Sequence, residues 1–297
     1  MITVLRPLST SELLDRTFHL YRNQFLMFVG ISAIPQLFIL PLTLGGAAMA
    51  VRQSYIWSSL MTAAGYLLFY LAWLISQAPT VLAVSNLQMQ KPSGIGSSYS
   101  GARRSLLRVI WIVFLILVIS GLIFGVGGTL IAVAIGLIGA VAPTAVTVVA
   151  ALILTIPPLY FALRWMLGCS LAIPVTVLEG GWFLASMRRS FRLSQGARWR
   201  ILVIYFLLGV FAVVVSFIVE FVLMLSIAFL PIRDPHILDA LMQAVQATAI
   251  FASTSLVGGL ATVALSLVYY DQRVRKEGFD LQLMMAALEP HLAAANP

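Results

Sequence analysis

Two ionisable residues interrupt long uncharged stretches of this 297-residue chain: Arg164, in Tyr160-Phe161-Ala162-Leu163-Arg164-Trp165, and Glu220. A charge at membrane depth costs roughly 2.5–3.5 kcal/mol on insertion scales, so such groups are normally paired or set beside a polar cavity. Arg164 lies about 15 residues from Glu179, and Glu220 about 20 from Arg200. At about 1.5 Å per residue the two sit within about 10 Å of the same depth. The expectation is an ion pair between adjacent antiparallel helices, serving as a lock or as a polar site for a substrate.

Other chemistry finds little material. The three histidines, His19, His236 and His291, fall in separate parts of the chain and cannot share a metal shell. Asp271, Glu277, Asp280 and Glu289 stand near Arg273, Arg275 and Lys276, which reads as solvated charge. No His-Glu-x-x-His, Gly-x-Ser-x-Gly or phosphate-loop lysine occurs. Gly125-Val126-Gly127-Gly128 lacks that lysine, and Gly121-x-x-x-Gly125 predicts a small-residue helix contact instead. Cys169, the one cysteine, excludes an internal disulfide and reads as a packing residue. The expectation is no enzyme, no metal and no cofactor. Gln36, Gln53, Gln77, Asn86, Gln243, Gln246, Ser253, Thr254 and Ser255 supply candidates for interhelical hydrogen bonds. Pro35, Pro41, Pro79, Pro157, Pro158 and Pro174 are read as kinks.

The elements that carry these residues follow from composition. With 61% hydrophobic and 9% charged residues, and a mean hydropathy of +1.02, the chain cannot cover a soluble surface. Disorder is excluded by the same numbers. Continuous apolar runs, without the alternation of barrel strands, predict an all-α polytopic integral membrane bundle. Six transmembrane helices are expected at roughly 24–50, 56–88, 108–137, 145–177, 200–230 and 240–270. The break between the third and fourth falls at Gly139-Ala140-Val141-Ala142-Pro143. The basic residues sort onto one face. Before the first span stand Arg6, Arg16 and Arg22. Lys91, Arg103, Arg104 and Arg108 follow the second span, and Arg188, Arg189, Arg192, Arg198 and Arg200 the fourth. Arg273, Arg275 and Lys276 make 15 of 18 on that side, against Arg52 and Arg233 on the other. The positive-inside rule then predicts both termini in the cytoplasm and a cytoplasmic-membrane location. Met1 to Pro7 show no cleavable signal pattern. The net charge of +8 reads as topology; no nucleic-acid module accompanies it.

The cytoplasmic segments repeat. Arg16-Thr17-Phe18-His19-Leu20-Tyr21-Arg22, Arg104-Ser105-Leu106-Leu107-Arg108 and Arg189-Ser190-Phe191-Arg192-Leu193 are anchored 88 and 85 residues apart, each ahead of two spans. The chain is thus one membrane domain, 1–297, of three units at about 8–90, 91–178 and 179–270, each an amphipathic helix plus a helical hairpin, with a tail at 271–297. Ser9-Thr10-Ser11-Glu12 is a capping box that starts the first amphipathic helix. Such helices place arginines toward anionic headgroups, so Arg16, Arg22, Arg104, Arg108, Arg189 and Arg192 are candidate lipid contacts. In the tail, Asp280 is expected to cap a short apolar helix over 281–288 that docks on the same face or takes a partner protein.

At these residues the chain resembles a bacterial family, the membrane domain fused to some glycerophosphoryl diester phosphodiesterases and also found alone. The likeness is carried by Leu14 to Arg22, by Val177-Leu178-Glu179-Gly180 with Met187 to Leu193, and by Tyr269-Tyr270-Asp271-Gln272-Arg273-Val274-Arg275-Lys276-Glu277-Gly278-Phe279-Asp280-Leu281. In the fused proteins the phosphodiesterase is a separate soluble barrel, absent from this chain. The resemblance therefore implies a bacterial multi-pass membrane module and no activity. Two readings follow: a non-enzymatic module that engages anionic lipid or a partner, and a transporter or lipid translocase built on Arg164 and Glu220.

Overall fold

The computed structural model describes residues 7–52, 54–232, 234–279 and 285. Arg6, Gln53, Arg233, Glu289, His291, the cap at Asp280 and, apart from Met285, the helix expected over 281–288 lie outside the described residues. Among those described, every regular element is a helix: α1 (Thr10–Asn23), α2 (Phe25–Leu37), α3 (Leu40–Val51), α4 (Tyr55–Gln88), α5 (Ile95–Gly139), α6 (Thr144–Cys169), α7 (Ala172–Leu178), α8 (Phe183–Ser194), α9 (Arg198–Ala228), α10 (Pro235–Val257) and α11 (Leu260–Glu277). The capping box at Ser9 forms as read: Glu12 N–H donates to the Ser9 hydroxyl, and Ser9 N–H to the Glu12 carboxylate at 2.7 Å.

Five helical stretches are long and apolar enough to cross a membrane, or six when the bent pair α2 and α3 is taken as one span. That pair turns by 47° where α2 gives way to α3. Pro35 contributes to this break. It has no N–H to give Ile31, and the orphaned Ile31 carbonyl takes the Tyr99 hydroxyl instead, at 2.7 Å. Pro79, Pro157 and Pro158 are accommodated inside α4 and α6. The fourth and sixth expected spans each form one membrane-crossing stretch, Thr144–Leu178 and Pro235–Glu277, with a local irregularity inside. α6 passes to α7 at Ser170–Leu171, and α10 to α11 at Gly258–Gly259. The second amphipathic segment is not a separate helix. It runs on into the third span, and the resulting α5 has 45 residues. At 1.5 Å per residue α5 is about 67 Å long, twice the roughly 30 Å of a hydrocarbon core.

The largest buried side chains gather at one end. α1, α7, α8, α11 and the adjoining parts of α4, α5 and α9 enclose two apolar clusters. One centres on Leu13, Phe28, Leu171, Leu193, Ile201 and Tyr269, the other on Leu74, Ala102, Val109, Ile112, Ala172 and Met187. We call this the basic end, because α1, α8 and the start of α9 carry their arginines there. By contrast, none of the residues from Gly121 to Phe161 is buried, nor any from Gly209 to Ser226. Those outer parts of α5, α6 and α9 present largely apolar surface, interrupted on α9 by Glu220, as lipid-facing helices do.

The expected packing at Gly121-x-x-x-Gly125 does not occur within the chain: a Cβ added at either glycine meets no atom within 4 Å. These glycines lie in the outer, unpacked part of α5. Close approach occurs at Gly168, where an added Cβ would stand 2.3 Å from the Phe191 ring. There α8 presses on α6, and the Ser190 hydroxyl donates to the Gly168 carbonyl at 2.6 Å. Gly168→Ala is expected to lower stability by about 1–3 kcal/mol, read as a drop in thermal midpoint in detergent. An unchanged midpoint would show that Phe191 yields freely.

Candidate functional site at the basic end

A buried carboxylate organises this end. The Asp271 side chain on α11 is 1% exposed. Its Oδ1 accepts the Leu8 N–H at 2.8 Å, and its Oδ2 accepts Arg200 Nη1 at 2.7 Å, Arg275 Nε at 3.0 Å and Gln272 Nε2 at 3.1 Å. Arg200 and Arg275 each donate a second time, to the Leu8 carbonyl at 2.7 and 2.6 Å. The segment before α1, the start of α9 and the end of α11 are thereby joined at one point. A carboxylate is tolerated in such a place because charged and polar donors meet both of its oxygens.

A second network lies beside the first. Glu179, just past α7, accepts Arg189 Nε at 2.9 Å and the Tyr269 hydroxyl at 2.9 Å. Arg189 also binds Glu277, with Nη2 at 2.8 Å, and Glu277 accepts Arg273 Nε at 3.2 Å. Arg273 stands over the Phe279 ring, 3.9 Å from its centroid. Lys276 donates to the Arg192 and Gln195 carbonyls, both at 2.7 Å, and so closes the C-terminal end of α8 with a cation. The hydrogen bonds from Arg189 to Glu277 and Glu179 hold its guanidinium above the ordinary arginine value. Burial alone would raise Glu277. The hydrogen bonds and charges of Arg189 and Arg273 outweigh it and hold that carboxyl below its ordinary value. Burial, followed by the charge of Arg198, lowers Lys276.

Asp271 and Glu277 are therefore not the solvated charges that the sequence suggested; Asp280 and Glu289 lie outside the described residues. Asp271 and Glu277 are partners of α1, α8 and α9. The i,i+4 spacings Asp271–Arg275 and Arg273–Glu277 were legible in the string, but the long-range partners Leu8, Arg189 and Arg200 carried no local signal. Three candidate lipid contacts are committed in the same way. Arg189 is paired, Arg16 donates to Gln88 Oε1 at 2.7 Å, and Arg108 donates to the Gly180 carbonyl at 2.6 Å. Arg22, Arg104 and Arg192 present exposed side chains, as does Arg188, which was not among the candidates.

Arg188 and Arg192, one turn apart on α8, line an open groove of about 650 Å³ against α6. Its remaining walls are Trp165, Leu184, Met187 and Phe191. The Trp165 and Phe191 rings lie 5.4 Å apart. Two guanidinium groups thus border an apolar trough. Such a site can hold an anionic phosphate beside a hydrocarbon chain.

Arg164 and Glu220 are not brought together. Both side chains are exposed, and among the described residues they form no ion pair. The depth estimate failed because it took Glu179 and Arg200 as lying at one level. Phe191 gives a common reference. Arg164 is adjacent to Trp165, whose ring touches Phe191, whereas Arg198 stands over the other side of Phe191 at 5.9 Å. Glu220 is 22 residues beyond Arg198 along α9, or about 33 Å from that level.

Among the described residues, these features define an all-helical fold with five or six stretches able to cross a membrane, closed at one end by a charged lock. No protein-family model, curated protein or solved structure matches the chain. Among the described residues, no three His, Cys, Asp or Glu side chains gather as metal ligands.

Two outcomes follow from the lock. Asp271→Asn removes one charge from a buried cluster and is expected to cost about 3–5 kcal/mol, with the Leu8–Leu13 amides losing hydrogen-exchange protection. Unchanged protection there would show that Asp271 does not hold α1. Because Glu277 is lowered in the folded state, its contribution is full above the ordinary carboxylate value and is lost as pH falls through its lower folded value. Tryptophan fluorescence is expected to be flat from pH 7 to about 5 and to report loosening below about 4, with Glu277→Gln removing that acid step.

Proposed function

We propose that this is a non-enzymatic, multi-pass protein of the bacterial cytoplasmic membrane, with both termini in the cytoplasm, whose basic end binds anionic phospholipid. The groove between α6 and α8 carries this reading. Arg188 and Arg192 are exposed above apolar walls, while Arg16, Arg108 and Arg189 are consumed by structural bonds. Arg22, Arg103 and Arg104 add exposed positive charge at the same end. Trp111, Trp182 and Trp199 are exposed there as well, as headgroup-level tryptophans are. Arg164, next to Trp165 and one turn from where α8 crosses Gly168, lies within reach of the headgroups by extending its side chain.

The three-unit organisation belongs to the proposal. Its support is a bond from near the start of each unit to the end of its hairpin or just past it: Arg16 to Gln88, Arg108 to Gly180 and Arg189 to Glu277. So does kinship with the membrane domain of the phosphodiesterase fusions. Residues from all three resembling strings stand at the basic end, where Glu179, Arg189, Tyr269 and Glu277 form one network.

Native mass spectrometry of protein extracted from mixed phosphatidylglycerol and phosphatidylcholine tests the lipid reading. Wild type is expected to retain phosphatidylglycerol, and Arg188→Glu with Arg192→Glu to lose most of it at unchanged thermal midpoint; equal retention sinks the groove as the site. Orientation is tested by cysteine labelling against the buried Cys169 background. Ser100→Cys is expected to react with an impermeant maleimide only in inverted vesicles, and Ser59→Cys only in right-side-out ones. The reverse pattern would place the basic end outside.

A further inference from the structure

A cavity of about 380 Å³ opens between α2, α4 and α10, beyond the basic end. It lies next to the break between α2 and α3, where Pro35 and the 47° turn interrupt the helix. Interrupted helices are where membrane proteins build ligand sites. One wall is aromatic: Tyr66, Tyr70 and Trp73 share a face of α4 by their helical spacing, with Phe69 beside them. The other wall carries one amide, Gln36, which is 1% exposed.

That amide is only half satisfied. The Thr254 hydroxyl lies 2.6 Å from Gln36 Oε1, and among the described residues Gln36 Nε2 has no partner. Thr254 has a single proton and also stands at hydrogen-bond distance from the Ile250 carbonyl one turn back. If that carbonyl takes the proton, the amide turns round and its oxygen is the group left over. Either way one end of a fully buried amide at the cavity wall is unmet, in apolar surroundings where unmet polar groups are rare. Among the described residues, no Asp, Glu, Lys or Arg lines the cavity. Its volume lies within the range of small-molecule sites, and Tyr70 is exposed at its mouth.

We infer that this cavity binds the head of a neutral, lipid-soluble molecule bearing a hydroxyl or carbonyl group, with that group on Gln36 and the adjoining apolar body against Tyr66, Tyr70 and Trp73. A charged headgroup is disfavoured because nothing in the wall neutralises it. The site is independent of the arginine groove: different helices form it, and it selects neutral rather than anionic heads.

The experiment uses the purified full chain in phosphatidylcholine nanodiscs and two probes. Decylubiquinone offers carbonyls and quenches tryptophan; 1,2-dioctanoylglycerol offers a hydroxyl and is read by its competition with the quinone and by thermal shift. Saturable binding of at least one probe is expected, weakened about tenfold by Gln36→Leu, the size of one hydrogen bond. Binding of the quinone alone identifies a carbonyl ligand, and of the glyceride alone a hydroxyl ligand. Tyr70→Ala, at an exposed position, is expected to weaken binding too and serves if Gln36→Leu does not fold. Saturable binding of neither probe, or equal affinity in both variants, overturns the inference. Arg188→Glu with Arg192→Glu is expected to leave probe binding unchanged, so loss of the anionic site and loss of this one are told apart.

Discussion

A carboxylate cannot be buried without donors, and Asp271 draws the basic end together around that requirement. Its four donors come from the segment before α1, from α9 and from α11 itself. None is useful alone: Arg200 and Arg275 also hold the Leu8 carbonyl, so the entering chain is gripped through both its N–H and its C=O. α11 can therefore bury nearly all of its length against α1, α4 and α9, and the apolar cluster around Leu13, Ile201 and Tyr269 is closed. Pairs of this kind add little net stability beside hydrophobic replacements, but breaking one is costly. Their value is in fixing which segments meet.

The membrane class was legible because it rests on composition and uninterrupted apolar runs, which no tertiary detail can reverse. The Ser9 capping box was legible because its partners are three residues apart. Helix breaks were harder. Pro35 marked one, but Ser170–Leu171 and Gly258–Gly259 carry no proline at the break; Arg164 was misplaced because Glu179 and Arg200 were taken as level. The site was legible only as a surplus of arginines. Sequence position says that an arginine is on the basic side; it does not say whether a carbonyl such as Gly180 O or a carboxylate such as Glu179 already holds it. Arg188 was passed over for that reason, and Arg16, Arg108 and Arg189 were chosen.

Gln36 shows the same limit from the other side. A glutamine in an apolar run signals an interhelical hydrogen bond, and it makes one, to Thr254 on α10. Gln77 does likewise with Thr262 on α11. That one amide uses both ends while the other keeps one unmet depends on how three helices pass each other at a bend, which no local spacing encodes.

The unbroken length of α5 has a mechanical consequence. Its inner part is packed against α4 and α7, and its outer part, with the outer part of α6, touches little else in the protein. A continuous helix tilts as a rod. Bilayers of different thickness tilt exposed hairpins by different amounts. The inner part of the α5–α6 hairpin packs on α7 and α8, so a bilayer that tilted its outer part would load the groove between α6 and α8.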